Sequence, residues 1–450
     1  MVSVELAFIT LAAIIIIGYF GLIFFKKTKV SEIIILLLIG LLIGPIASEL
    51  GMSLLGPTEI QIFQSFLPFF AGFALIMILF EGGMHLNFFK TVKALTGTLG
   101  FTLMVFVLTL GLTVGVLWFL GLAGLGAFDP LLALFIAAIV GGTSSAVVIP
   151  LVKNTSAKDE TKTMLSLESA LTDSLCVITA VAIGEIFLLG TISVAGISTG
   201  ILANFSIAAI LGFAFGLIWL KALAYLQGRP YEYLMTIAML LLLYGLVQFV
   251  GGNGAIAALI FGIVLGNSED ITNMLKLTTR SIDKNIKNFQ NEISFLVKTF
   301  FFVYLGILFQ LEFLTPIVIV ISITIILIIL FARFISTSLL IKVKPLFSSD
   351  KNLITTMSAR GLAAAVLVSV PVSMGLTSIP NTPFTPELLS QITAIAFLVI
   401  FFSNILTTLG LFVSEGGKPQ IDTPDEREKL LKDIKVGTTK PIIQKRKRAS

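Results

Sequence analysis

The apolar residues of this chain come in long unbroken blocks separated by short polar connections, and they do not alternate with polar ones. Crossing a bilayer takes roughly 20 residues of helix, and most of the blocks reach that length. Lipid offers the backbone no hydrogen-bond partners, so each block must satisfy its own N–H and C=O groups as a helix. A membrane barrel would instead carry ~10-residue segments of alternating polarity. The pattern therefore predicts an all-α polytopic membrane protein with about thirteen transmembrane helices. Their approximate limits are residues 5–25, 31–50, 60–82, 94–121, 128–152, 161–190, 195–221, 231–250, 253–267, 290–312, 315–341, 351–376 and 386–414. The first block runs long, ends in basic residues and has no small-residue cleavage site, so it is taken as a span and not as a signal peptide.

Several stretches recur. Span 2 ends in Gly40-Leu-Leu-Ile-Gly44-Pro45 and span 9 in Gly262-Ile-Val-Leu-Gly266-Asn267. Span 3 closes with His85-Leu86-Asn87-Phe88 and span 10 with Gln310-Leu311-Glu312-Phe313. Span 5 holds Gly142-Thr-Ser-Ser-Ala-Val-Val, and span 12 holds Gly361-Leu-Ala-Ala-Ala-Val-Leu. The members of each pair lie about 220 residues apart, in the same order. Glycine spacing alone also serves close helix packing; the shared offset is what carries weight. Seven spans separate each pair, which gives the two copies opposite orientation. The expectation is a transmembrane domain over 1–414 made of two inverted six-helix repeats, about 5–190 and 231–414, with 195–221 as linker helix. Residues 415–450 form a short, basic cytoplasmic tail. Inverted repeats point to a secondary transporter with its site where the repeats meet.

Composition agrees with the pattern. Of 450 residues, 56% are hydrophobic and 12% charged, whereas a soluble domain carries about 25% charged residues. The single cysteine, Cys176, excludes an internal disulfide and reads as packing. The net charge of +5 does not signal nucleic acid, because the basic residues fall in alternate connections and in the tail. Connections after odd spans hold Lys26, Lys27, Lys29, Lys90, Lys93, Lys153, Lys158, Lys221, Arg229, Lys276, Arg280, Lys284, Lys287, Lys342 and Lys344. Connections after even spans hold Glu59, Asp129 and Glu387 and no lysine or arginine. The positive-inside rule then sets the N-terminus outside and the C-terminus in the cytoplasm of a plasma membrane. The Lys445-Arg-Lys-Arg448 run faces anionic lipid or nothing specific.

Ionisable groups inside a membrane are costly and are functional candidates by default. Here they are Glu168, Asp173, Lys298, Arg333 and Arg360, with Glu81, Glu185 and Glu292 nearer span ends. Span 6 reads Glu168-Ser169-Ala170-Leu171-Thr172-Asp173, so Ser169 and Asp173 share one helix face and Glu168 and Thr172 the adjoining one. A carboxylate binds a proton or a hard monovalent cation through oxygen, not both at full strength. Asp173 is thus the foremost candidate for an ion site, either Na+ or K+, against the alternative of a structural carboxylate. Ser169 and Thr172 supply oxygen beside it or bond back to their own carbonyls. Thr143 and Ser144 fall in Gly141-Gly142-Thr143-Ser144-Ser145, where span 5 can unwind; span 12, with Arg360-Gly361 and Pro371, looks interrupted too. Crossed broken helices present opposed dipole ends to an ion, although a glycine notch and a proline kink also fit. Glu168 reads as the partner of Arg360, since an unpaired buried arginine is too expensive. Lys298 either neutralises the crossing helix ends, pairs with an acid or snorkels. Arg333 is undecided. His85 senses pH or lies at the surface.

Together with Leu79-Phe-Glu-Gly-Gly, Gly40-Leu-Leu-Ile-Gly-Pro, Phe301-Phe-Val-Tyr-Leu-Gly and Ala359-Arg-Gly, the Glu168-Ser169-x-x-Thr172-Asp173 stretch resembles the monovalent cation:proton antiporters, the sodium/proton exchanger family. The likeness runs over about residues 5–415. It implies a core with two crossed broken helices, a dimerisation domain, an elevator-like motion between them and a homodimer. It aligns Asp173 with the ion-binding aspartate, Ser169 with a hydroxyl ligand, Glu168 and Arg360 with the ion pair of the electroneutral branch, and Lys298 with the basic position of span 10. That branch usually has Asn-Asp where this chain has Thr172-Asp173, and the electrogenic branch has Asp-Asp. The sodium-exchanging branch often has Thr-Asp-Pro where this chain has Thr143-Ser144-Ser145, which looks more like the potassium-efflux relatives.

The expected activity is exchange of Na+ or K+ for H+, electroneutral, by alternating access at one aspartate. A sodium-coupled symporter of a small organic acid is the alternative. No Walker sequence, Cys/His metal cluster or nucleophile elbow occurs, so neither an enzyme nor a cofactor beyond the transported ions is expected. Membrane lipid and a second copy are the expected partners, with no nucleic acid.

Overall fold

A computed structural model of the chain describes residues 31–50, 72–84, 88–123, 128–153, 155–189, 194–226, 231–274, 284–379 and 382–414, with isolated positions at 12–20 and Phe69. Most of the first span, His85 and the tail after 414 lie outside the described residues. Every regular element among the described residues is helical.

Helix α1 (Glu32–Glu49) carries Pro45 inside a widened π turn, Leu42–Ile46. Proline cannot donate to the helical ladder, and a π turn accommodates the lost bond. Helix α2 is Gly72–Met84 and α3 is Phe88–Leu122. Span 5 is broken as expected: α4 (Pro130–Gly141) and α5 (Ser145–Lys153) flank an extended stretch at residues 142–144. Asp129 caps α4, its Oδ1 accepting from the N–H groups of Leu131 and Leu132 at 2.8 Å. Helices α6 (Asp159–Leu189), α7 (Val194–Leu226) and α8 (Glu232–Phe249) are continuous. Helix α9 (Gly254–Gly266) has only 13 residues, about 20 Å at 1.5 Å per residue. Helices α10 (Lys284–Ile307) and α11 (Pro316–Val343) lead into the second broken span, α12 (Lys351–Thr356) and α13 (Leu362–Leu367), separated by residues 357–361. Helix α14 (Pro386–Ser414) ends the fold. Among the described residues seven helices are long and apolar enough to cross a membrane, and shorter apolar helices join them.

Glycines set the two closest helix contacts. A Cβ at Gly40 of α1 would strike the backbone of Val303 and Gly306 on α10; one at Gly262 of α9 would strike Phe80 and Gly83 on α2. The buried side chains form two clusters. The larger surrounds the broken helices and takes in α3 to α6 and α10 to α14; the smaller unites α7, α8 and α9 with one face of α2.

The unwound stretches cross. The Ser144 N–H donates to the Ala359 carbonyl at 2.8 Å, tying one break to the other. Other backbone groups there are satisfied by side chains of the next full-length helix. Thr143 N–H donates to Thr172 Oγ1 (3.1 Å), Ser358 N–H to Thr407 Oγ1 (3.2 Å) and Arg360 N–H to Ser403 Oγ (3.1 Å), while Asn404 donates to the Arg360 carbonyl (2.7 Å). Irregular backbone at membrane depth requires such partners.

Candidate ion site at the crossed helices

Helix α6 runs past the first break and presents Glu168, Ser169, Thr172 and Asp173 to it, all buried. Asp173 meets the start of α5. Its Oδ2 accepts from the Ser145 backbone N–H at 2.8 Å and from Ser145 Oγ at 2.7 Å. The first N–H groups of a helix lack internal partners, and the helix dipole is positive there, so this end favours an anion. Asp173 supplies one from a neighbouring helix.

The other hydroxyls are turned elsewhere. Thr143 Oγ1 donates to Glu168 Oε1 at 2.8 Å and lies 3.1 Å from Thr172 Oγ1. Thr172 Oγ1 also bonds back to the Glu168 carbonyl at 2.9 Å. Ser169 Oγ donates to its own helix at the Ser166 carbonyl, 3.0 Å. Ser144 Oγ is buried with no hydrogen-bond partner among the described residues and lies where a Cβ on Gly361 would collide with it. Thus Thr143, Ser144, Thr172 and Asp173 do converge on the break. Ser169 shares α6 with Thr172 and Asp173, but its hydroxyl hydrogen serves Ser166.

The expected pairing of Glu168 with Arg360 is corrected. Glu168 forms a two-pronged ion pair with Arg333 of α11, at 3.2 Å and 3.1 Å. Arg333 Nε also donates to the Ile354 carbonyl in α12 at 2.7 Å, and its guanidinium stands 5.8 Å from the Phe101 ring centre. Arg360 instead donates to the carbonyls of Val140 (2.6 Å), Gly141 (3.3 Å) and Ser358 (3.1 Å). The physical reason is the broken helix itself. The last carbonyls of α4 have no partners in their own helix and form its negative dipole end, and a guanidinium with five donors satisfies them.

Lys298 is resolved in favour of an acid. It pairs across helices with Glu32 of α1, although α10 also packs against α13. Glu32 escaped the sequence reading because it falls at the predicted edge of span 2. Ser145 was read only as part of an unwinding run; its signal was a hydroxyl at the first position after a helix break. Glu185 accepts from Asn253 Nδ2 (2.7 Å) and Asn204 Nδ2 (3.4 Å), joining α6 to α7 and to the residue that caps α9. Among the described residues no group of three or more His, Cys, Asp or Glu side chains is placed to hold a metal ion. At the break the carboxylates of Asp173 and Glu168 lie among the hydroxyls of Thr143, Ser145 and Thr172, oxygen donors of the kind a hard cation takes.

The profile of the family described as "Sodium/hydrogen exchanger, transmembrane" matches residues 11–413. Among solved structures, the sodium proton antiporter MjNhaP1 of Methanocaldococcus jannaschii at pH 8 superposes with a TM-score of 0.74 and 22% identity, covering 90% of this chain and all of that one. An electron-microscopy structure of the same protein gives 0.67 and 20% identity over 98% of this chain and all of that one. These likenesses show a common fold.

Proposed function

Because the chain belongs to the sodium/hydrogen exchanger family, whose members are cation:proton transporters and not enzymes, we propose that it exchanges Na+ or K+ for H+ at Asp173, one proton per cation. The observation that carries this reading is the placement of Asp173, buried, at the positive end of α5, where among the described residues its Oδ2 accepts hydrogen bonds from Ser145 alone. The other buried charges of the crossing are committed. Glu168 and Arg333 neutralise each other, and Arg360 serves the α4 carbonyls. Among these charges Asp173 is the one that changes its occupant in the proposed cycle, and one proton exchanged per cation makes that cycle electroneutral.

The same reading takes the chain as two inverted halves. Its support is the exchange of partners in the glycine contacts: Gly40 of α1 meets α10, and Gly262 of α9 meets α2. Cytoplasmic placement of the odd connections is supported where two of them touch. Thr161 Oγ1 and Lys158 N–H both donate to Asp350, joining the connections after spans 5 and 11. A plasma-membrane homodimer with a cytoplasmic C-terminus completes the proposal.

The test is cation-driven proton flux in vesicles with Asp173→Asn. Flux with Na+, K+ and Li+ is expected to fall to the protein-free background. Retained exchange in that variant would sink the mechanism.

A further inference from the structure

On the reading of Asp173 as the exchanging carboxylate, we propose that Ser145 is a ligand of the transported cation and sets which cation is preferred. Ser145 is the first residue of α5 and gives both of its donors to the same oxygen, Asp173 Oδ2, at 2.8 Å and 2.7 Å. The two donors differ in kind. The backbone N–H is fixed by the helix and holds the carboxylate in place. The hydroxyl turns about its Cβ–Oγ bond and carries one hydrogen and two acceptor lone pairs.

That freedom matches each occupant of the site. A bare carboxylate takes the hydroxyl hydrogen across the 2.7 Å Oγ–Oδ2 contact. A protonated Asp173 donates its own hydrogen, and Ser145 Oγ accepts it. A cation on Asp173 meets the Ser145 oxygen once the hydroxyl hydrogen swings away. No bond to hydrogen is made or broken on Ser145 in any of the three. Three neighbouring hydroxyls are committed elsewhere, Thr143 to Glu168, Thr172 to the Glu168 carbonyl and Ser169 to the Ser166 carbonyl, while Ser144 Oγ makes no described hydrogen bond to Asp173. Ser145 is the one described hydroxyl that touches Asp173. Its oxygen stands on the first turn of a helix, so its distance from the carboxylate is set by rigid backbone, and a fixed oxygen spacing discriminates between ions of different radius.

The experiment compares wild type with Ser145→Ala, Ser145→Cys and Ser145→Thr in proteoliposomes, with proton flux driven by Na+, K+ and Li+ in turn and Asp173→Asn alongside. Ser145→Ala should raise the half-saturating concentration of the preferred cation by about tenfold, the scale of one lost bond to a charged group. The ratio of half-saturating concentrations between cations should shift by about threefold or more. Ser145→Cys keeps the side-chain shape but offers a soft sulfur to a hard cation, and should behave like alanine. Ser145→Thr keeps the oxygen and should restore wild-type ratios. A purely structural role would lower maximal flux equally for all cations with unchanged half-saturation; that result, or wild-type ratios in Ser145→Cys, overturns the proposal. Exchange surviving in Asp173→Asn would refute the carboxylate assignment instead, and the two failures are told apart by that control.

Discussion

Arg333 and Glu168 illustrate how a buried charge is made tolerable. Each is essentially inaccessible to solvent, and the pair is bidentate. Removing one partner of such a pair strands the other and costs roughly 3–5 kcal/mol, while replacing both is far milder. Glu168→Gln should therefore lower the thermal stability of the detergent-purified protein sharply, and Glu168→Gln with Arg333→Met should recover most of it. A double variant no more stable than the single one would show that the pair is not what Glu168 contributes. That these charges lie buried was legible from the sequence, since they fall inside apolar blocks. Who pairs with whom was not. Glu168 and Arg333 are 165 positions apart, and helix spacing orders neighbours within one helix, not across the bundle. Arg360 looked equally able to meet Glu168 until the unwound end of α4 presented carbonyls that needed it more.

The broken helices were legible as glycine- and hydroxyl-rich interruptions, and both breaks fall where Gly142 and Gly361 predicted them. What could not be read was that the two breaks touch. Gly361 lies against Ser144 so closely that a methyl group there would overlap its side chain. Gly361→Ala should cost about 1–3 kcal/mol of stability through overpacking, with a matching loss of transport. Adding Ser144→Gly in the same chain should return stability, as read by thermal melting. No recovery would mean that the clash is with something other than Ser144. The short α9 was also foreseen from its apolar run, yet its contact with α2 through Gly262 and Gly83 depends on the third dimension.

For the whole molecule, the proposed exchange at a single carboxylate makes two expectations. Flux under a one-for-one cycle should not respond to membrane potential; a rate that changes with a clamped voltage would require a further moving charge. Protons and cations compete for Asp173, so rising pH should lower the half-saturating cation concentration, by about tenfold per unit where protons saturate the site. Half-saturation that is flat across pH would place the proton elsewhere. The Ser144–Ala359 hydrogen bond adds a constraint on movement. With the two unwound stretches joined backbone to backbone, that bond favours their displacement as one piece in the proposed cycle, by about 1 kcal/mol. In the proposed cycle Asp173 moves with that piece, and among the described residues two hydrogens from Ser145 balance its charge when nothing is bound. A naked carboxylate is costly to carry through a low-dielectric slab, so an unladen return is the slowest leg of any cycle. In the proposed exchanger slippage is thereby suppressed without a gate: crossing requires a proton or a cation on Asp173, and the gradient of one drives only the movement of the other.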